Sequence, residues 1–128
     1  MKNLKALGKK VTKFSKLETF PTPPFVTEVT CTSDEVTAKC PVTGQPDWYT
    51  VEITYRPNLL CVESKTVKLF LQSFRDQGHF CEAFAAIIAR EFYKALQAYG
   101  VRVIVTQKAR GGVSIKSMAV IGGSHHVA

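Results

Sequence analysis

The segment from Trp48 to Tyr55 alternates without a break: Trp48, Thr50, Glu52 and Thr54 oppose Tyr49, Val51, Ile53 and Tyr55. Successive side chains of a strand point to opposite faces, so this period of two demands a strand with one apolar face. The period then changes. Val67, Phe70, Leu71 and Phe74 recur at helical spacing over Lys65 to Arg75, with Ser64 expected as N-cap and Asp76-Gln77-Gly78 as the stop. A second helix is expected from Phe80 to Tyr99. Its core stripe is Phe84, Ile87, Ile88, Phe92 and Leu96, and Gly100 ends it. A strand with one apolar face needs a cover, and two amphipathic helices next in sequence supply one.

The flanking segments complete the order. Leu17 to Pro24 reads as an extended entry fixed by its prolines. Phe25 to Cys31 is rich in β-branched residues and reads as a strand, followed by a turn at Ser33-Asp34. Arg56-Pro57-Asn58 ends the Trp48 strand. Val101 to Gln107 is a third strand, Ala109 to Gly112 a tight connection, and Val113 begins a fourth. The order β-β-α-α-β-β predicts an α+β domain: a four-stranded antiparallel sheet with both helices on one face. Its other face and two edges stay open. Closing them against neighbouring copies gives a barrel, so a ring-shaped homo-oligomer is expected. At 128 residues the chain fits one domain, placed at 17–121 between a flexible basic tail at 1–16 and a loose end at 122–128.

Charge and cysteine usage exclude several classes. The formal net charge is +7, and six lysines without an acidic residue lie between Met1 and Lys16. Such a balance favours anionic partners, a nucleotide cofactor or nucleic acid among them. No apolar stretch reaches the roughly 18 residues that span a bilayer. Cys31, Cys40, Cys61 and Cys81 show no C-x-x-C spacing, which argues against a zinc ribbon or a thioredoxin motif. Reduced thiols in the cytoplasm are expected. His79, His125 and His126 make no ligand set with the cysteines, so no metal site is expected.

The run Cys40-Pro41-Val42-Thr43-Gly44-Gln45-Pro46-Asp47 holds a nucleophile and a proton donor at the ends of a loop stiffened by Pro and Gly. Lys39 precedes the thiol, and a nearby cation favours thiolate. Glu63, Lys65 and Lys68 follow, and Arg110-Gly111-Gly112 would let an anion approach the backbone beside a guanidinium. Each has a plainer alternative: a buried small thiol, a turn aspartate, a first-turn carboxylate, a solvated lysine face, a hairpin turn. Residue types alone leave both open.

LETFP (17–21), CPVTGQPDW (40–48), VESKTVKLFLQSFR (62–75), Gly78-His79-Phe80-Cys81-Glu82 and ARGG (109–112) together resemble the NADPH-dependent 7-cyano-7-deazaguanine reductases, the QueF-type nitrile reductases of queuosine biosynthesis, in their single-module form. The resemblance covers about residues 17 to 116. It implies the tunnelling fold (T-fold) shared with pterin-handling cyclohydrolases, with active sites between subunits. It implies a Cys40 thiolate attacking the nitrile to give a thioimide, Asp47 supplying a proton, and two hydrides from NADPH. Glu82 would grip the deazapurine ring, beside Cys81. Val62, Glu63 and Ser64 would line the pocket. Lys65, Lys68 and Arg110 would meet the cofactor phosphates. No membrane and no direct nucleic-acid contact are implied. One departure stands out. Family members usually carry His-Glu where this chain has Cys81-Glu82, and a thiol replaces an imidazole poorly. His79, two residues earlier, is expected to point elsewhere, and a reversible Cys40–Cys81 disulfide becomes conceivable. Two other readings compete: a relative that adds ammonia to the nitrile without NADPH, and a non-catalytic deazapurine or nucleic-acid binding module. ESKTVKLF and ARGG oppose the first; Cys40 with Asp47 opposes the second.

Overall fold

The computed structural model describes residues 13–123. Most of the basic tail and the end of the chain, with His125 and His126, lie outside the described residues. The described residues form eight elements: β1 (Thr19–Pro21), β2 (Val29–Lys39), β3 (Pro46–Arg56), β4 (Leu60–Val62), α1 (Ser64–Gln72), α2 (Cys81–Leu96), β5 (Gly100–Arg110) and β6 (Val113–Gly122). The main sheet runs β2-β3-β5-β6, antiparallel throughout, and β1 pairs with β4 in a separate two-stranded ribbon. The architecture is α+β, with four long strands as expected. The ribbon is additional: the proline-fixed entry and the segment before α1 are short strands.

Tyr49, Val51, Ile53 and Tyr55 are fully buried, as are Val101, Val103 and Val105 opposite them. They form one core with Phe70, Phe74, Phe84, Ile88 and Phe92 from both helices, so both helices cover the same sheet face. Each such side chain contributes about 1.5–3 kcal/mol on burial. Phe70 meets Phe74 and Phe92 at ring-centroid distances of 5.0 and 5.9 Å, and Phe74 meets Phe84 at 4.8 Å. Phe14, which the sequence places in the tail, packs on Phe70 at 5.4 Å.

Three element boundaries differ from expectation. β2 extends to Lys39, and Ser33-Asp34 begins a bulge inside it, not a turn. Glu63, not Ser64, caps α1: its carboxylate accepts from the N–H groups of Lys65 (3.0 Å) and Thr66 (2.9 Å). α2 stops at Leu96 because Gln97 turns left-handed (φ 47°), while Gly100 already belongs to β5.

The bulges decide which face each strand end presents. In β2, Val29, Cys31 and Ser33 lie opposite Tyr55, Ile53 and Val51, on the helix side. One extra residue between Ser33 and Val36 moves the even positions onto that side, where Val36 and Ala38 are buried. In β5, Gln107 lies opposite Ile115 and Arg110 opposite Val113, so one extra residue again changes parity. A regular strand would have sent Cys40 and Arg110 to the face away from Asp47.

Candidate active site

Asp47 continues the inward positions of β3 and is 4% exposed. Cys40 lies just past β2, opposite in the hairpin. Its N–H donates to Gln45 O (2.7 Å), and Gly44 N–H donates to Cys40 O (2.9 Å), closing a tight loop. Gly44 sits at φ 73°, a conformation that L side chains adopt only at a cost. The loop is folded around the sulfur. The Thr43 hydroxyl donates to it, then the Thr43 and Val42 N–H groups, then the Arg110 guanidinium; together they lower the thiol from 9.0 to about 7. Lys39, the cation expected to do this, instead lies 3.9 Å from Asp76 at the surface.

Arg110 reaches the site from the β5–β6 hairpin. Gly111 and Gly112 occupy positive φ (59° and 82°), the requirement of the two-residue turn that matches strand twist. The Arg110 Nη1 donates to Asp47 Oδ1 in an ion pair that joins the hairpin tip to β3. The guanidinium is held more firmly protonated first by that hydrogen bond, then by one to Cys40.

The segment after α1 supplies the remaining wall. Lys39 N–H donates to Gln77 O (2.8 Å) and His79 N–H to Lys39 O (3.3 Å), so Gln77–His79 runs alongside the end of β2. A side chain at Gly78 would meet the Pro41 Cα at 3.3 Å. The His79 ring stacks on Phe84 (5.9 Å, 15°) and its Nε2 pairs with Gln77 Oε1 at 2.9 Å. Cys40, Asp47, His79, Glu82 and Arg110 thus line one open cavity of about 300 Å3. His79, expected to point elsewhere, is in it. Tyr49 lies beneath with its hydroxyl pushed up to about 12, first by burial and then by Asp47.

Cys81 also borders this cavity, but its sulfur is taken up by the sheet. It lies 3.6 Å from Val105 O, 3.7 Å from Ile115 O and 3.4 Å from Ser117 Oγ, while Ser117 donates to Cys81 O at 3.0 Å. These contacts fasten the start of α2 to β6. All four cysteines are free thiols. Cys61 is buried, and burial pushes the half-buried Cys31 thiol up.

The other expected site residues are elsewhere. Val62 is in the β1–β4 ribbon and Glu63 is committed to capping; both are buried. Ser64 and Lys68 line a second, larger cavity of about 480 Å3 between β2 and α1, and Lys65 is half-buried on the first turn. Within one chain, then, the reactive group and the α1 group occupy separate clefts. Thr43 was given no role in the sequence, and His79 was expected to point away from the site. A hydroxyl three residues after a cysteine in a Gly-containing loop was the available signal for Thr43.

The described residues form an α+β fold in which a thiol and a carboxylate line one cavity at the end of an antiparallel sheet. The family model described as QueF-like protein matches residues 46–124. Curated relatives named NADPH-dependent 7-cyano-7-deazaguanine reductase include that of Frankia casuarinae, 41% identical over 77% of this chain and 79% of its own. That of Syntrophobacter fumaroxidans is 43% identical over 83% and 70%, and that of Syntrophus aciditrophicus 38% over 90% and 84%. The chain belongs to this QueF-like reductase family. The crystal structure of an archaeosine synthase QueF-Like in the apo form superimposes with a TM-score of 0.72 over 77% of this chain and 97% of its own; at 21% identity it speaks to the fold alone.

Proposed function

We propose that this chain reduces the nitrile of 7-cyano-7-deazaguanine to 7-aminomethyl-7-deazaguanine with NADPH, through a thioimide on Cys40. The observation that carries the reading is a thiol lowered to about 7 in the same cavity as a buried carboxylate. A nitrile carbon is a weak hydride acceptor; a protonated thioimide is a stronger one, because nitrogen no longer accumulates full negative charge. A sulfur nucleophile also limits hydrolysis to the amide, and bound substrate and cofactor would exclude water further. In this scheme the Cys40 sulfur bonds to the nitrile carbon and Asp47 delivers a proton to the nitrile nitrogen. Glu82, at the exposed first turn of α2, accepts hydrogen bonds from the donor edge of the deazapurine.

The cofactor fits α1. Lys68 and Ser64 line the larger cavity and Lys65 stands one position along, three polar groups suited to phosphate oxygens. When bound, each NADPH would supply one hydride, and a nitrile-to-amine reduction consumes two. Arg110 is left out of that phosphate set because Asp47 engages its guanidinium.

The two clefts come together if copies assemble as a T-fold barrel. β2 and β6 are the free edges of the sheet, so pairing between copies sets the α1 cleft of one subunit beside the Cys40 cleft of the next. Val62, Glu63 and Ser64 then serve the partner's substrate pocket.

The test is turnover with 7-cyano-7-deazaguanine and NADPH, following the nicotinamide absorbance and the product mass. Two NADPH consumed per aminomethyl product is expected. Amidine formed from ammonia without NADPH loss, or an adduct without turnover, overturns the reductase reading.

A further inference from the structure

The first turn of α2 brings Glu82 to the Cys40 cavity, yet Phe80 at the N-cap makes no side-chain hydrogen bond to hold that turn. The first N–H groups of a helix have no partner within it, and an end without a cap frays. What holds this turn comes from the sheet. Ser117, opposite Val105 on the edge strand β6, donates its hydroxyl to Cys81 O at 3.0 Å. With its one proton committed there, Ser117 Oγ is an acceptor toward the Cys81 thiol at 3.4 Å. The same sulfur lies against Val105 O and Ile115 O, and Cys81 is buried. A thiol donates weakly, so the hydroxyl-to-carbonyl bond is the firm member of this clasp.

Resting on the nitrile reading above, we propose that Ser117 is a positioning residue for the substrate: through its clasp on Cys81 it aims the Glu82 carboxylate at the donor edge of the deazapurine. The carbonyl that Ser117 holds belongs to the peptide unit joining Cys81 to Glu82. That unit is planar, so the bond sets the plane from which the Glu82 side chain departs. Ile115, two positions before Ser117 on β6, lines the same cavity, so one clasp sets two of its walls. The Cys81 thiol is then an anchor for the helix, and the ligand is met by the residue after it. A carboxylate already aimed spares ordering cost on binding. The effect therefore falls on affinity, not on bond making at Cys40.

The experiment uses the full chain as Ser117→Ala, Ser117→Thr, Glu82→Gln and the Ser117→Ala, Glu82→Gln double variant. Reduced protein is mixed with 7-cyano-7-deazaguanine, and adduct formation on Cys40 is followed by intact mass against ligand concentration. In Ser117→Ala the half-saturating concentration rises about fivefold, the effect of one lost side-chain hydrogen bond. The limiting rate and the iodoacetamide reactivity of Cys40 stay as in wild type. Ser117→Thr keeps the hydroxyl and restores the wild-type half-saturation. In the Glu82→Gln background the Ser117→Ala effect shrinks below about twofold, because the two changes act through one contact. An unchanged half-saturation in Ser117→Ala overturns the proposal. So does a fivefold effect that persists with Glu82→Gln, since a merely structural clasp acts independently of that carboxylate. Failure of the nitrile reading looks different: wild type forms no adduct at any ligand concentration, and the proposal falls with it.

Discussion

The Cys40 loop makes a quantitative claim about Thr43. Its hydroxyl is the foremost of the groups that lower the thiol to about 7, ahead of two backbone N–H groups and Arg110. At pH 7 wild-type Cys40 is about half thiolate, whereas an ordinary thiol near pKa 8.5 is only about 3% ionised. Thr43→Val keeps the shape and both N–H groups but removes the hydroxyl donor. A midpoint raised by about one pH unit follows, which leaves roughly a fifth as much thiolate at pH 7. The assay is iodoacetamide alkylation over pH 5.5 to 10, with Cys40 followed by peptide mapping. The folded value is depressed, so the thiolate contributes stability at pH above the ordinary thiol value and loses it as pH falls through about 7. Thr43→Val should flatten that pH dependence. A wild-type midpoint near 8.5, or an identical midpoint in Thr43→Val, refutes the reasoning.

Other outcomes follow from the packing. Glu63→Ala strips both acceptors from the first turn of α1 and should cost about 1–2 kcal/mol in urea unfolding. Phe92→Ala removes a fully buried ring from the helix–sheet core. A loss of about 3–5 kcal/mol is expected, lowering the urea midpoint by roughly 2 M. Gly44→Ala meets no neighbouring atom but must hold φ 73°; the loop opens more often, and Cys40 alkylation at neutral pH slows while the helical circular dichroism stays unchanged.

The architecture was legible where side-chain periodicity is set by burial on one face. Tyr49, Val51, Ile53 and Tyr55 alternate because β3 is central in the sheet and one of its faces is covered by helices. β2 is an edge strand, and Ser33, Asp34 and Glu35 at its bulge are polar because they are partly or fully exposed, so the run imitates a turn. The left-handed stop at Gln97 was hidden because a nearby glycine, Gly100, is the usual occupant of such a position. At the candidate site, Cys40 and Asp47 stood out as the ends of a loop stiffened by prolines and a glycine, and both line one cavity. The Arg110–Asp47 pair was not, since it depends on one extra residue between Gln107 and Arg110 that no residue type marks. The same applies to Thr43, whose role appears only once the loop closes around the sulfur.

The most direct measurement is intact-mass spectrometry of reduced protein mixed with 7-cyano-7-deazaguanine in the absence of NADPH. One added ligand mass per chain, mapped to Cys40 and lost in Cys40→Ala, is the expected result. Unmodified protein, or a label that survives Cys40→Ala, contradicts the account.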